Sequence, residues 1–460
     1  MPHPGPDGPA PGVALASAPR AASRSAEALI EKIRSRQAKL AVIGLGYVGL
    51  PLACEFARGG VTVEGIDVDS KRVAGLKSGR SHVQDVPDEQ LTALIRDGIL
   101  RPTDDFSVLA GCDACIICVP TPLRKTRDPD ISYIVAAVEE IARYLHPGFL
   151  VVLESTTYPG TTEEVLLPKL GATGLKVGDD FFLAFSPERV DPGNLSFHTR
   201  NTPKILGGVT ESCGRVARAL YERAIDRIIP VSSTRAAEMV KLLENTFRSV
   251  NIGLVNEVAV MCDRLRLDVW EVIDAAATKP FGFMAFYPGP GLGGHCIPID
   301  PHYLSWKLKT LNYTARFIEL ASEINGQMPH YVVDKIVDVL NDMRKSVRGA
   351  RLLVLGVAYK KDVGDVRESP ALDVIKLLAD RGADIRFSDP YVPQVAIDGG
   401  PTYRSVPLDR GELESSDLVI IVTNHSAYDY DFIVRHSPFV LDTRNATRGV
   451  TADRGKVRRL

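Results

Sequence analysis

The chain has 460 residues, of which 45% are hydrophobic and 24% charged, and its formal net charge is −2. This length suits two or three globular domains, and the small net charge offers no electrostatic attraction to nucleic acid or to an anionic membrane surface. No apolar run approaches the roughly 20 residues of a membrane-spanning helix, and the seven scattered cysteines do not resemble a secreted disulfide framework, so we expect a cytoplasmic protein with reduced thiols.

The amino-terminal part of the chain, residues 1–212, predicts a disordered extension followed by a dinucleotide-binding domain. Residues 1–37 are rich in Pro, Ala, Gly and Ser and lack the apolar core of a signal peptide, so we expect them to be disordered. Across residues 38–212, short apolar runs alternate with helical patterns, which is typical of a parallel sheet covered by helices. Strands are expected at 40–43, 62–66, 114–119, 150–153, 181–185 and 205–207. Helices are expected after Gly49, Asp69, Asp130, Thr161 and Glu211.

Two further domains are expected after residue 212. Residues 213–340 carry apolar residues at helical spacing, which predicts a central helical domain. Its helices are expected at 236–263, 269–277 and 301–324. Residues 341–460 return to the strand–helix alternation, with strands expected at 351–357, 384–388, 417–422 and 439–442. The sequence therefore predicts an α/β fold in which two doubly wound Rossmann-like domains are joined by a central helical domain.

The turn after the first strand, Gly44-x-Gly46-x-x-Gly49, has the pattern of a dinucleotide-binding loop. Glycines there permit a tight turn, close approach of a pyrophosphate to backbone N–H groups, and close helix–strand packing. The next strand ends at Asp67, whose carboxylate can accept hydrogen bonds from a ribose diol and repel a 2′-phosphate. We therefore expect NAD as the cofactor, although Arg72 is close enough to leave NADP open. A purely structural turn is the alternative.

A glycine-rich loop, residues 289–300, carries Cys296 and, four residues later, Asp300. A thiol nucleophile together with a hydride acceptor predicts an oxidation through a covalent thioester, which converts an alcohol or aldehyde to a carboxylate. Free cysteines are also commonly buried and inert. His295 is a candidate base for the thiol, and Asp300 either activates water or caps the following helix.

Lys241 and Asn245 are four residues apart on a predicted helix and therefore share one face. Apolar residues crowd that turn, so Lys241 is a candidate for a cleft, whereas a solvated helix face is the usual explanation of such a lysine. Cys112, Cys115 and Cys118 have a spacing that suggests a metal site. Their segment reads as a buried strand without a fourth ligand nearby, so no metal is expected.

These motifs, in this order, resemble those of the UDP-glucose/GDP-mannose dehydrogenase family. The likeness covers residues 38–445 and rests on seven separate motifs. They are residues 44–49, 119–122, 154–160, 186–189, 241 with 245, 289–301, and 359–370. Residues 278–301 are most similar to the UDP-N-acetylglucosamine 6-dehydrogenase branch. Enzymes acting on UDP-glucose often carry an Arg before the glycine loop, and this chain has Thr278-Lys279-Pro280 there, so that role is not assigned.

The resemblance implies a role for each matching residue. Catalysis is implied for Cys296 as nucleophile and for Lys241 and Asn245 as oxyanion stabilisers. Asp300 and Thr121 are implied to position or activate water, and Glu188 to take part in hydrolysing the thioester. Contacts with NAD are implied for Gly44, Gly46, Tyr47, Val48, Gly49, Asp67, Arg72, Thr121, Glu154 and Arg367. Contacts with the nucleotide-sugar are implied for Glu188, Arg189, Lys241, Asn245, Gly293, Tyr359, Lys360 and Arg444.

The expected activity is therefore the four-electron oxidation of the C6 hydroxyl of a UDP-sugar, with two NAD molecules used in turn. UDP-N-acetyl-D-glucosamine is the first substrate to test, and UDP-glucose and UDP-N-acetylmannosamine are alternatives. A non-catalytic NAD-binding redox sensor is the alternative from another class. A homodimer or higher homo-oligomer is expected because a long apolar helix in the middle domain needs a partner.

Overall fold

An eight-stranded sheet is the centre of the first domain in this computed structural model, which describes residues 23–83, 85–124, 128–190, 194, 196–294 and 296–460. Its strands are β1 (Lys39–Ile43), β2 (Thr62–Ile66), β3 (Leu100–Thr103), β4 (Ala114–Ile117), β5 (Phe149–Leu153), β6 (Phe181–Phe185), β7 (Lys204–Gly208) and β8 (Ile228–Val231). Their order is β3-β2-β1-β4-β5-β6-β7-β8. The pair β6–β7 is antiparallel and the other pairs are parallel. The first six strands have the order of a Rossmann dinucleotide fold.

Helices cover both faces of this sheet, so β4, β5 and β6 are buried along their whole length. The helices are α1 (Arg24–Arg34), α2 (Gly49–Arg58), α3 (Ser70–Lys77), α4 (Asp88–Arg96), α5 (Ser132–Tyr144), α6 (Leu167–Gly171) and α7 (Glu211–Tyr221). A short π-helical turn, Thr162–Leu166, precedes α6. The predicted strand–helix alternation of this domain is confirmed, and β3, β8, α1 and α4 are additions to it.

Helix α1 lies inside the extension that was predicted to be disordered. It packs against α7 through one apolar face. The buried residues of that face are Ala26, Leu29, Ile30 and Ile33. The prediction is therefore wrong for residues 23–37, because an average over a Pro-rich stretch conceals an amphipathic pattern confined to its last part. Residues 1–22 lie outside the described residues.

The first sheet continues past the predicted domain boundary at residue 212. Strand β8 pairs in parallel with β7, and α7 packs against β6 and β7. The first domain therefore ends near residue 231. Strand β8 escaped prediction because it is a four-residue, partly exposed edge strand, Ile-Ile-Pro-Val, without an alternating pattern.

The central domain consists of α8 (Thr234–Leu265), α9 (Val269–Ala277), α10 (Asp300–Lys309) and α11 (Arg316–Asp342). Helix α8 is 32 residues long and packs against both α10 and α11. The single helix predicted at 301–324 is wrong, because the chain turns at Asn312, which has a left-handed φ of 57°. An asparagine tolerates this conformation, which ends one helix and allows the next to start at Arg316.

The third domain is a second parallel sheet. Its strands are β9 (Arg351–Leu355), β10 (Asp384–Ser388), β11 (Gln394–Ala396), β12 (Thr402–Arg404), β13 (Leu418–Ile421), β14 (Val440–Asp442) and β15 (Val457–Arg459). Its helices are α12 (Pro370–Asp380), α13 (Arg410–Ser415) and α14 (Tyr430–His436). The sheet order is β10-β9-β13-β14-β15, with β11 and β12 as a separate hairpin. The predicted fold of two doubly wound domains and a helical centre is confirmed.

None of the helices in the described part of the chain has the length and apolar character needed to cross a bilayer.

Candidate active site

The glycines in the turn between β1 and α2 serve two different purposes. Gly44 has a φ of +92°, and a Cβ there would lie 2.5 Å from the carbonyl oxygen of Cys118. A Cβ on Gly49 would lie 1.8 Å from the carbonyl oxygen of Gly44. A Cβ on Gly46 would meet nothing within 4 Å. Gly44 and Gly49 are therefore required by the turn itself, whereas Gly46 faces open space in which a pyrophosphate can approach the backbone.

Asp67 follows β2 and is held by three donors. The backbone N–H groups of Leu45 and Asp69 donate to it at 2.8 and 3.0 Å, and Nη1 of Arg72 donates at 2.9 Å. The carboxylate is thus fixed beside the glycine turn, where a ribose diol would lie. The Arg72 guanidinium lies against this carboxylate and offsets its charge. His82, which the sequence analysis missed, also lies here, and burial followed by the Arg72 charge lowers the pKa of its imidazole.

The third domain reaches the dinucleotide turn through Arg367. Its guanidinium lies 5.1 Å from the ring centroid of Tyr47, a cation–π distance. Asp365 holds the same guanidinium through hydrogen bonds of 3.0 and 2.6 Å. Val48 completes the turn and caps α2 with its backbone. Arg367 and Tyr47, 320 positions apart in the chain, therefore meet at the predicted cofactor site.

The predicted catalytic residues of α8 and of the cysteine loop come together. Nδ2 of Asn245 donates to Oδ2 of Asp300 at 2.5 Å, and the N–H of Asp300 donates to the carbonyl oxygen of Cys296 at 2.7 Å. Nζ of Lys241 donates to the carbonyl oxygen of Glu188 at 2.5 Å. Lys241, Asn245 and Asp300 are all buried, so the interpretation of Lys241 as part of a solvated helix face is wrong.

The electrostatics of this cluster keep the resting thiol protonated. Burial raises the pKa of Cys296 to about 12, with the Asp300 carboxylate adding to the effect and the Lys241 ammonium opposing it. Burial also raises the pKa of Asp300 to about 6, against the opposing influence of Lys241 and Asn245. At neutral pH, Asp300 is therefore mostly ionised within electrostatic reach of a neutral thiol. His295 lies outside the described residues.

The loop after β4 is tied to the helix that begins at Asp300. The hydroxyl of the fully buried Tyr303 donates to the carbonyl oxygen of Thr121 at 2.9 Å. This bond sets the loop that carries Thr121 against α10. Nothing in the sequence marked Tyr303 as a residue of the site, because a tyrosine on an amphipathic helix is ordinarily a core residue.

Glu154 and Arg189 are both engaged within the protein. Glu154 is 1% exposed and accepts hydrogen bonds from Nζ of Lys204 at 2.8 Å and from the hydroxyl of Tyr221. The Arg189 guanidinium pairs with Glu244 at 2.6 Å and donates to the carbonyl oxygen of Pro203 at 2.5 Å. Their contacts with NAD and with the sugar nucleotide stay predictions. Lys204 was not predicted as a site residue.

The cysteine loop packs on the third domain beside Tyr359. A Cβ on Gly293 would lie 2.8 Å from both Cβ of Tyr359 and the carbonyl oxygen of Glu368. A Cβ on Gly294 would lie 2.9 Å from the Tyr359 ring. Glycine is therefore required at both positions for the loop to approach Tyr359, and Lys360 follows directly. This contact brings the predicted substrate residues of the third domain to the cysteine loop.

A cleft of about 460 Å³ lies between the central and third domains. Its cationic and aromatic lining residues are Lys361, Arg444, Arg448, Trp270, Tyr287, His425 and Tyr430. Arg444 is held by the carbonyl oxygen of Val422 at 3.0 Å, and burial lowers the pKa of its guanidinium to about 10. A Cβ on Gly289 would lie 2.3 Å from Nη1 of Arg444. Cations beside stacked aromatic rings, here Trp270 and Tyr287, suit a nucleoside diphosphate.

Comparison with known proteins agrees with this arrangement in all three domains. Residues 38–225 match the NAD binding domain of the UDP-glucose/GDP-mannose dehydrogenase family, residues 235–327 its central domain, and residues 353–449 its UDP binding domain. The chain is 36% identical over 414 residues to the UDP-N-acetyl-D-mannosamine dehydrogenase of Pyrococcus horikoshii, which covers 88% of this chain and 95% of the relative. It is 36% identical over 392 residues to the UDP-N-acetyl-D-glucosamine 6-dehydrogenase of Pseudomonas aeruginosa, which covers 85% and 91%.

Solved structures show the same similarity. The UDP-D-ManNAc dehydrogenase from Pyrococcus horikoshii superposes with a TM-score of 0.81 at 35% identity, covering 89% of this chain and 96% of that one. A UDP-N-acetyl-mannosamine dehydrogenase from Staphylococcus aureus superposes with a TM-score of 0.79 at 31% identity, covering 92% and 98%.

Proposed function

This chain belongs to the UDP-glucose/GDP-mannose dehydrogenase family and is an NAD-dependent nucleotide-sugar 6-dehydrogenase, and on that premise we propose that it oxidises C6 of UDP-N-acetyl-D-glucosamine to the acid through adducts on Cys296. The observation that carries the proposal is the cluster of Cys296, Asp300 and Asn245 beside Lys241. It combines a nucleophile, a carboxylate, an amide donor and an ammonium.

Lys241 and Asn245 stabilise the oxyanion at the reacting carbon. The turn of residues 44–49 would hold NAD, which would supply a hydride acceptor for each of the two oxidations. As hydride leaves, negative charge grows on the oxygen bound to C6, and a buried ammonium and amide at that point cost no reorganisation. A single such donor is typically worth about 3–4 kcal/mol at the barrier.

Cys296 retains the aldehyde between the two oxidations. Its thiol proton passes to Asp300, which is mostly ionised above a pKa of about 6. The sulfur forms a bond to C6 as the C=O π electrons move to the oxygen, which takes up a proton. The resulting thiohemiacetal cannot diffuse away and holds its C–H bond in place for the second hydride transfer. The product of that transfer is a thioester on Cys296.

Glu188 activates the water that hydrolyses the thioester. Sequence reasoning left Glu188 and Asp300 as equal candidates. The side chain of Glu188 is 14% exposed, whereas Asp300 is 2% exposed. Glu188 is therefore the carboxylate more open to water, and Asp300 is left to serve the thiol.

The choice of UDP-N-acetyl-D-glucosamine rests on the resemblance of residues 278–301 and on the Pseudomonas aeruginosa relative. UDP-N-acetyl-D-mannosamine is the second candidate, because the Pyrococcus horikoshii relative has the same sequence identity to this chain, 36%, as the Pseudomonas aeruginosa relative. Rates of NADH formation with these two sugars and with UDP-glucose test the choice. We expect two NADH per UDP-N-acetyl-D-glucosamine, and Cys296→Ser should bind NAD normally but yield no acid. Faster turnover of another sugar of the panel, or acid production by Cys296→Ser, would contradict the proposal.

A second copy of the chain is the partner that fits the exposed stripe on α8. The stripe consists of six large apolar residues, Met239, Leu243, Phe247, Leu254, Met261 and Leu265, which are 38–68% exposed. At about 100° per residue they fall within roughly 80° of one another around the helix, and they extend over about 40 Å. So long an apolar stripe rarely faces water, and a self-complementary two-fold interface buries it.

The oligomeric state tests this interface. Sedimentation of the purified chain should show a dimer or a larger even assembly. Leu254→Glu should shift it toward the monomer, whereas Lys376→Glu, at an exposed position on α12, should not. A monomeric parent chain would contradict the interface. We also place the enzyme in the cytoplasm, because its mechanism needs Cys296 as a reduced thiol.

A further inference from the structure

A buried group of charges lies behind Glu188. Nζ of Lys204 contacts Oε2 of Glu154 at 2.8 Å and Oε2 of Glu188 at 3.8 Å. The side chain of Lys204 is 6% exposed and that of Glu154 is fully buried. The hydroxyl of the fully buried Tyr221 donates to the other oxygen of Glu154. One ammonium is thus shared by a carboxylate deep in the first domain and by the carboxylate of the active site.

Strand direction explains how Lys204 comes to be there. Strand β7 runs antiparallel to β6, with Ala184 opposite Gly208 and Phe185 opposite Gly207. Continued beyond the end of β6, this register places Lys204 across from Glu188. The reversed strand therefore brings its first residue to the edge of the sheet where the parallel strands present their carboxyl ends. A lysine at a strand start reaches the ligand edge only through this reversal.

Glu188 is held from three sides. Its Oε1 accepts from the backbone N–H groups of Arg189 and Val190, at 2.7 and 2.5 Å, and its Oε2 faces Lys204. Its carbonyl oxygen accepts from Lys241 on the reacting side. We propose that Lys204 is a positioning residue that fixes the Glu188 carboxylate for thioester hydrolysis, using Glu154 as its buried anchor.

The balance of charge agrees with this role. Burial alone would lower the pKa of Lys204, yet Glu154 and Glu188 hold it above its ordinary value, so Lys204 stays an ammonium. An unpaired ammonium at this depth would be costly, and the two carboxylates keep it in place. A fixed ammonium in turn holds Oε2 of Glu188 while its backbone contacts hold Oε1.

The step that Lys204 serves is the hydrolysis assigned above to Glu188, and the inference rests on that function. Water adds through its oxygen to the thioester carbonyl carbon, and one of its protons passes to Glu188. The C–S bond then breaks, and its electron pair leaves on the Cys296 sulfur. The acid releases its proton, and the thiolate is reprotonated as the site resets. No hydride moves in this step, so a loss confined to it leaves both oxidations intact.

The test separates hydrolysis from oxidation in the full-length enzyme. Lys204→Met keeps the aliphatic stem but removes the ammonium, and Lys204→Arg keeps a cation. We expect Lys204→Met to release two NADH per active site in the first turnover and then to slow about tenfold to a hundredfold, part of the roughly 10²–10⁴-fold that a general base contributes. Intact-mass spectrometry should show a thioester adduct on Cys296. Lys204→Arg should restore most of the turnover.

A double variant shows whether Lys204 acts through Glu188. If it does, Lys204→Met in a Glu188→Gln background should slow hydrolysis little further, whereas independent residues would give multiplicative losses. Multiplicative losses, the absence of an adduct, or a slowed first release of NADH would each overturn the inference. Should Lys204→Met not fold, Lys204→Gln, which removes the ammonium but keeps a polar side chain beside Glu154, is read by the same criteria.

The controls distinguish this inference from the proposed function. If the parent enzyme yields two NADH per sugar and Glu188→Gln accumulates the adduct, the function stands, and a Lys204→Met variant without adduct defeats the role of Lys204 alone. If neither variant nor the parent ever carries substrate on Cys296, the covalent mechanism itself fails.

Discussion

Asn245 donates a hydrogen bond to Asp300 at 2.5 Å, and this bond joins the long central helix to the first residue of the helix that follows the cysteine loop. The same aspartate donates its backbone N–H to the carbonyl oxygen of Cys296 at 2.7 Å. The pair therefore sets both the position of the sulfur and the electrostatic field around it. Asp300 is almost without exposure to solvent, so its charge acts with little screening.

Asp300→Asn is expected to reduce turnover and to stabilise the fold at neutral pH. Burial raises the pKa of Asp300 from 3.8 to about 6, so the folded chain binds this proton more tightly than the unfolded chain. The resulting stability is fully present below about pH 4 and is lost as the pH rises through about 6. An amide does not ionise, so the variant avoids a loss of about 2–3 kcal/mol in the free energy of unfolding at pH 7.5.

Thermal midpoints at pH 4 and pH 7.5 measure this effect. The midpoint of Asp300→Asn relative to the parent should be higher at pH 7.5 than at pH 4. An equal difference at the two pH values would show that ionisation of Asp300 does not oppose folding.

The rate at which Cys296 is alkylated should also depend on the negative charge of Asp300. Burial and the Asp300 carboxylate raise the pKa of the thiol to about 12, so iodoacetamide should react slowly at pH 7.5. The rate should rise about tenfold per pH unit, because only the thiolate reacts. Asp300→Asn removes a negative charge beside the sulfur and should accelerate the reaction. Mass spectrometry can follow Cys296 by itself, since the other six cysteines are buried. Slower alkylation of the variant would contradict the assignment.

Two alanine substitutions should separate folding from cofactor binding at the glycine turn. In Gly46→Ala the new methyl group meets nothing within 4 Å, so the protein should keep its thermal midpoint but bind NAD at least about tenfold more weakly. In Gly49→Ala the methyl group would lie 1.8 Å from a backbone oxygen, so the fold itself should be destabilised. Thermal melting and NAD titration distinguish the two. A destabilised Gly46→Ala with normal NAD affinity would contradict the site.

Asp67 and Arg72 should tune the choice between NAD and NADP in opposite directions. Their ion pair places a negative and a positive group where a 2′-phosphate would lie. Asp67→Asn removes the repulsion and should raise the kcat/KM ratio of NADP to NAD about tenfold, which corresponds to about 1.4 kcal/mol. Arg72→Ala should lower that ratio. Steady-state kinetics with both cofactors measure it, and a shift of both variants in the same direction would exclude this pair as the selector.

The sequence by itself determined the succession of two Rossmann-like domains around a helical centre, and the local patterns of the candidate site. The β1–α2 turn, the cysteine loop and the Lys241–Asn245 spacing are local patterns, because the period of a strand or helix and the room around a glycine depend on neighbours in the chain. The prediction of disorder failed at helix α1, because the composition of the whole extension was averaged over it. The prediction of one helix at 301–324 failed because a single left-handed residue, Asn312, divides that apolar run into two helices.

Only the tertiary structure decided which charges meet. Lys204 reaches Glu188 because β7 runs antiparallel to β6, and Arg367 reaches Tyr47 because the fold brings the segment before α12 to the dinucleotide turn. The burial that raises the pKa of Asp300 and of Cys296 likewise results from tertiary packing. Strand direction, domain contact and desolvation are long-range properties, since each depends on residues that are remote in the chain and adjacent only after folding.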